Sequence, residues 1–135
     1  MIALISDVNC EGHFRRIISY MESGWRSEIW QAVNAEILNF RDLSLSATTE
    51  DREIWIACQH ANAVLVTTNR NKDGESSLET TIRELNAVDS LPVLTLADAD
   101  KILADGEYAK FVADRMLEYL FEMDEFRGVG RLYLP

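Results

Sequence analysis

The chain has 135 residues, of which 47% are hydrophobic and 27% charged, with six Gly and two Pro, an ordinary make-up for one compact domain that excludes a disordered, fibrous or low-complexity chain. Its 13 Lys and Arg stand against 23 Asp and Glu, a formal net charge of -10. That excess argues against binding nucleic acid through a broad cationic surface, which needs many cations along the phosphates, but it is compatible with an acidic pocket whose metal ion contacts phosphate.

Ile2 to Ile5 is a short apolar run suited to a strand buried on both faces. Phe14, Ile17, Ile18 and Met21 then recur at helical spacing, with Gly24 as a stop. Trp25 to Ala35 predicts a second helix and Glu36 to Phe40 a strand. Thr48 or Thr49 is placed to cap a third helix, whose stripe is Ile54, Ala57, Cys58 and Ala61. Ala63 to Thr67 is the clearest buried strand. A helix over Ser77 to Val88, with Leu78, Ile82 and Leu85 on one face, leads past Pro92 into an extended run, Val93 to Leu96. Asp98 can cap a short helix. Tyr108 to Met123 reads as a long amphipathic helix with Val112, Met116, Tyr119, Leu120 and Met123 inward, and Gly128 and Gly130 break it before a last extended segment, Arg131 to Leu134. Apolar strands alternating with helices predict a parallel sheet between helical layers, with ligands at the carboxyl ends of the strands.

Cys10 and Cys58 supply at most one disulfide, too few to staple a secreted scaffold, and are expected reduced. Met1 to Ile5 lacks a charged leader region, and no apolar stretch approaches the roughly 20 residues that cross a bilayer. A cytoplasmic protein without a membrane segment is expected, with one domain over residues 1–135. Trp25, Trp30 and Trp55 are expected in the core or at a subunit contact. His13 and His60 lack a partner at metal-ligand spacing, and no nucleophile elbow, Walker loop or dinucleotide glycine fingerprint is present.

Polar side chains gather where strands end. The first strand runs into Ser6-Asp7-Val8-Asn9, and Asp7 can serve there either as a ligand or simply as a helix cap. Asp51 opens the third helix at the top of its buried face, a position that the helix dipole also favours for any acid. The third strand runs into Thr67-Thr68-Asn69-Arg70-Asn71-Lys72-Asp73-Gly74. These positions supply oxygen ligands suited to Mg²⁺ or Mn²⁺ if they converge. The same loop matches the first half of a calcium-binding EF-hand, but its twelfth position is Thr80, with Glu79 one place early, and a strand precedes it.

The ordered set Leu4 to Asn9, Phe40-Arg41-Asp42-Leu43-Ser44-Leu45, Thr49 to Ile54 and Val64 to Asn69 resembles the short bacterial PIN-like domains, relatives of PIN-domain ribonucleases that act as toxins in toxin–antitoxin pairs. In that family the first strand ends in Asp, an Arg-Asp-Leu stretch follows the second strand, an acid opens the next helix, and the third strand runs into Thr-x-Asp. The resemblance covers roughly the first 75 residues by motif and the rest by α/β rhythm. It implies a three-layer α/β sandwich with a central, mostly parallel sheet. It also implies hydrolysis of RNA with Mg²⁺ or Mn²⁺ held by Asp7, Asp51 and Asn69, helped by Asp73 or Glu79, with Asn9 and Arg70 at the substrate. A basic antitoxin-like protein and a homodimer are the partners it suggests. Asn69 stands where the family usually has its third Asp; an amide coordinates through oxygen without adding charge, so metal affinity is expected to be lower. The resemblance therefore leaves open a second use of the fold, a non-catalytic, dimeric binding or regulatory module.

Overall fold

The computed structural model describes residues 2–69, 74 and 77–135. Five strands, β1 (Ala3–Ser6), β2 (Glu36–Leu38), β3 (Ala63–Thr67), β4 (Val93–Leu96) and β5 (Arg131–Leu134), form one sheet in the order β2-β1-β3-β4-β5, and every neighbouring pair is parallel. The helices are α1 (Glu11–Met21), α2 (Arg26–Val33), α3 (Asp51–His60), α4 (Leu78–Leu85), α5 (Ala99–Ala104) and α6 (Gly106–Phe121), with 3-10 turns at Val8–Cys10, Phe40–Leu43 and Met123–Phe126.

The uniformly apolar strands are explained by two-sided burial, since successive side chains point to opposite faces. Leu4, Val64, Val66, Leu94 and Leu96 pack on one face against Phe14, Ile17 and Met21 of α1, Ile102 of α5, and Val112, Met116 and Leu120 of α6. Ala3, Ile5, Ala63, Leu65 and Val93 pack on the other face against Ile54, Trp55 and Cys58 of α3 and Leu78 and Ile82 of α4. The result is the three-layer α/β sandwich expected from the sequence. No helix among the described residues is long and apolar enough to cross a membrane.

Several boundaries move because local hydrogen bonds compete with the periodic pattern. β2 stops at Leu38 rather than Phe40 because Asn39 and Asp42 cap each other reciprocally, backbone N–H to side-chain oxygen, at 3.0 and 2.8 Å. That turn buries Phe40 under the sheet. Neither Thr48 nor Thr49 caps α3, whose N-cap is Glu50. Thr49 Oγ1 instead accepts from the Ser46 N–H at 2.9 Å, closing the preceding turn. α4 ends at Leu85, three residues early, as Asn86 adopts an extended backbone and donates from its side chain to the Gly128 carbonyl at 2.7 Å. α6 starts early because Asp105 caps it, accepting from the N–H groups of Glu107 and Tyr108. Asp98 caps α5 as expected, accepting from the Lys101 N–H at 3.2 Å. Gly130 enters β5 at φ +92, and a Cβ there would stand 3.0 Å from Ile82 Cγ2, so the turn requires glycine. Trp55 is a core residue, but Trp25, at the head of α2, lies outside the core and is 64% exposed.

Cys10 and Cys58 are free, buried thiols. Burial pushes both up to about 12, and the Asp7 charge adds to the effect at Cys10. Because the unfolded chain loses these protons near pH ~8.5 while the folded chain keeps them, their contribution to stability is whole below that pH and lost as pH rises toward the folded values. Urea melts between pH 8 and 11 should show a falling midpoint, and Cys10→Ala/Cys58→Ala should flatten that fall. Native protein should also react with a disulfide reagent only on unfolding.

Candidate functional site

The chain leaves β1 toward the α1 layer and leaves β3 toward the α4 layer. Their adjacent carboxyl ends therefore flank the point where strand order reverses, where parallel α/β sheets open a crevice. Asp7 lies there because pairing to β3 continues past the strand: its N–H donates to the Val66 carbonyl at 2.9 Å. Cys10 then turns the chain back, its N–H donating to the Asp7 carbonyl at 3.1 Å and its Sγ to the Val66 carbonyl at 3.4 Å.

The Asp7 side chain has two occupations. Its Oδ1 lies 3.5 Å from the Asn9 N–H, a long cap of the Val8–Cys10 turn. Its Oδ2 accepts from the hydroxyl of Thr67 at 3.1 Å. Thr67 is fully buried, and the same hydroxyl oxygen accepts from the Asn69 N–H at 3.0 Å. Asn69 in turn donates its Nδ2–H to Asp51 Oδ2 at 2.8 Å. One hydrogen-bonded chain thus runs Asp7–Thr67–Asn69–Asp51 across the ends of β1, β3 and α3. Asp51 faces this chain from the first turn of α3, on the side that carries buried Ile54 and Trp55.

A second, cationic branch meets it. Arg131, the first residue of β5, reaches along the α4 face of the sheet. Its Nη1 donates to the Asn69 carbonyl at 2.8 Å and to Thr95 Oγ1 at 2.6 Å, and its Nη2 to Glu79 Oε2 at 3.0 Å. The Arg131 side chain is only 7% exposed and that of Glu79 32%. Burying a guanidinium costs several kcal/mol unless its hydrogen bonds are met. Thr95, fully buried in an apolar strand, and the Asn69 carbonyl meet part of that need. Arg131 Nε is buried without a partner among the described residues.

Asp7, Asp51 and Asn69 are therefore brought together, and Glu79 stands one guanidinium away, engaged as an ion-pair partner. Asn9 is exposed in the turn after β1. Arg70 and Asp73 lie outside the described residues. Among the described residues no three His, Cys, Asp or Glu side chains converge on a common point. What the network links is two carboxylates and an amide, side chains of the kind that Mg²⁺ takes, since it commonly uses one or two carboxylates and completes its shell with water and substrate phosphate. The amide presents its N–H to Asp51, so a shared ion would require it to rotate and offer oxygen. Arg131 and Thr95 escaped the sequence reading. Their signal was a cation opening an apolar strand and a hydroxyl inside one, each of which needs a partner when buried. No family model, curated protein or solved structure matches the chain.

Proposed function

We propose that the chain is a PIN-like, divalent-metal-dependent ribonuclease with a weakened centre. The observation that supports this reading is the hydrogen-bonded chain joining Asp7 to Asp51 at the carboxyl ends of β1 and β3. Asp7 and Asp51 would hold Mg²⁺ or Mn²⁺ with the rotated amide of Asn69. When bound, the ion supplies Lewis acidity toward a phosphodiester and lowers the pKa of a water. Thr67 fixes the Asp7 carboxylate by donating to one oxygen, leaving the other lightly held. Asp51 has an oxygen beyond the one that Asn69 occupies and can orient a water by accepting its hydrogen bond. The -10 charge confines RNA contact to this locality. With Mn²⁺, the protein should cleave single-stranded or structured RNA, and Asp7→Asn should reduce cleavage to background. Equal cleavage by both proteins overturns the reading.

A second reading, a binding or regulatory module on the same fold, is favoured by the Asn69 amide, which satisfies Asp51 without a cation. It is also favoured by a groove of about 440 Å³ between α2 and α6, with Trp25, Ile29, Leu117 and Phe121 as its apolar walls and Glu118 and Glu122 at its rim. Those walls and that rim suit a basic protein segment with large apolar anchors, as an antitoxin-like partner would supply. A second copy would set acid against acid. Absence of Mg²⁺ or Mn²⁺ binding near millimolar concentration in calorimetry would favour this module over the nuclease.

A further inference from the structure

A cleft of about 580 Å³ opens beside the candidate centre, between α1 and the carboxyl ends of β1 and β2. Ser6, the residue before Asp7, lines it, so the cleft and the carboxylates are neighbours along one strand. Its apolar side is Phe14, Ile18, Ile37, Leu38 and Phe40, and its cations are Arg15 of α1 and Arg41 of the Phe40–Leu43 turn.

Arg26, Arg52, Lys110, Arg115, Arg127 and Arg131 each have a carboxylate partner. Arg15 and Arg41, like Arg16, Arg83 and Lys101, have none among the described residues; what sets these two apart is that both are exposed and border one cleft. Two guanidinium groups on the walls of one cleft give an anion a local attraction that the net charge of -10 otherwise opposes. Guanidinium forks match phosphate oxygens. Glu11, one turn before Arg15 on α1, lines the same wall, so a phosphate would sit toward Arg41 and the far side of Arg15. The Glu11 carboxylate can accept from neutral donors such as ribose hydroxyls. A volume within the roughly 300–1,000 Å³ of small-molecule sites admits a nucleotide.

We propose that this cleft binds a nucleoside phosphate unit, its phosphate on Arg15 and Arg41 and its base or sugar against the Ile37 side. The inference rests on the ribonuclease reading for its biological sense, since the unit would be one flanking the cleaved bond, but its test needs no catalysis. Binding is measured by fluorescence anisotropy in EDTA with a short single-stranded RNA, and with uridine monophosphate as competitor. Arg15→Gln/Arg41→Gln should weaken RNA binding about tenfold or more and reduce its salt slope by about 1.4, or ~0.7 for each phosphate left without its cation. Arg83→Gln, an exposed arginine of α4 in the opposite layer, should leave binding unchanged. Competition by the mononucleotide with the same arginine dependence would locate recognition in one unit. Competition by RNA alone would assign it to a strand. No RNA binding, or equal loss from the double variant and Arg83→Gln, overturns the cleft assignment. Arginine-dependent binding without Mn²⁺-dependent cleavage would instead retain the cleft and remove the nuclease.

Discussion

Asn69→Asp is expected to destabilise the metal-free protein by about 1–3 kcal/mol and to regain that stability when Mn²⁺ is added. The argument begins with one hydrogen bond, Asn69 Nδ2 to Asp51 Oδ2 at 2.8 Å. Aspartate has no N–H to offer, so the substitution replaces a donor–acceptor pair with two carboxylates. Two such groups at hydrogen-bonding distance cannot both stay ionised cheaply, and one keeps its proton to a higher pH than in the unfolded chain. The penalty is therefore absent below the unfolded carboxylate range near pH ~3.9 and complete above the raised folded value. A cation between the two groups removes it and adds binding energy, about 2.7 kcal/mol when Mn²⁺ is at ~100 times its Kd. Urea melts at neutral pH in EDTA and in Mn²⁺ read both halves of the expectation. Wild type should show the smaller Mn²⁺ response because its amide must rotate and contributes no charge. If Mn²⁺ fails to restore the aspartate variant, Asp7, Asp51 and position 69 do not share an ion, and the binding-module reading gains.

The sheet was legible because burial on both faces writes itself as unbroken apolar runs. Ala63–Thr67, Val93–Leu96 and Arg131–Leu134 begin and end where the pattern begins and ends. Helix ends were less legible because they are decided by single side chains reaching one or two residues. Asp105 accepting two N–H groups starts α6 early, and Asn86 turning to Gly128 stops α4. That Asp7, Asp51 and Asn69 lie in one hydrogen-bonded network follows from their places at strand and helix ends, where topology rather than sequence proximity brings residues together. What was not readable is how each is held. Asn69 lies 62 residues from Arg131, and no periodic signal links an edge-strand arginine to a loop carbonyl across the sheet. Glu79 read as a spare oxygen ligand by its composition, and only its partner reveals the ion pair.

Arg131→Met is expected to cost about 2–4 kcal/mol, the larger effect for a residue remote in sequence from every acid of the centre. Met replaces the apolar stem but none of the donors. Thr95 Oγ1 loses a 2.6 Å partner inside the sheet, and the Asn69 carbonyl loses its 2.8 Å partner at the end of β3. Glu79 loses its ion pair, but at 32% exposure it regains water in part, which holds the cost below that of a sealed pair. Glu79→Gln alone should cost less, since the amide oxygen can still accept from Arg131. The double variant should cost less than the two single losses combined, because the groups share one interaction. Arg131→Lys should recover only part of the stability: one ammonium cannot span Glu79, Thr95 and the Asn69 carbonyl as a planar fork does. Because the same guanidinium fixes the backbone from which Asn69 points at Asp51, Arg131→Met should also weaken Mn²⁺ binding measured by calorimetry at a temperature where the variant remains folded. Glu79→Gln, which leaves the Asn69 carbonyl held, should weaken it little. Equal Mn²⁺ affinity in the Arg131→Met and wild-type proteins would assign Arg131 to the stability of the sheet edge alone, and unequal affinity would make it the strut that keeps position 69 against α3.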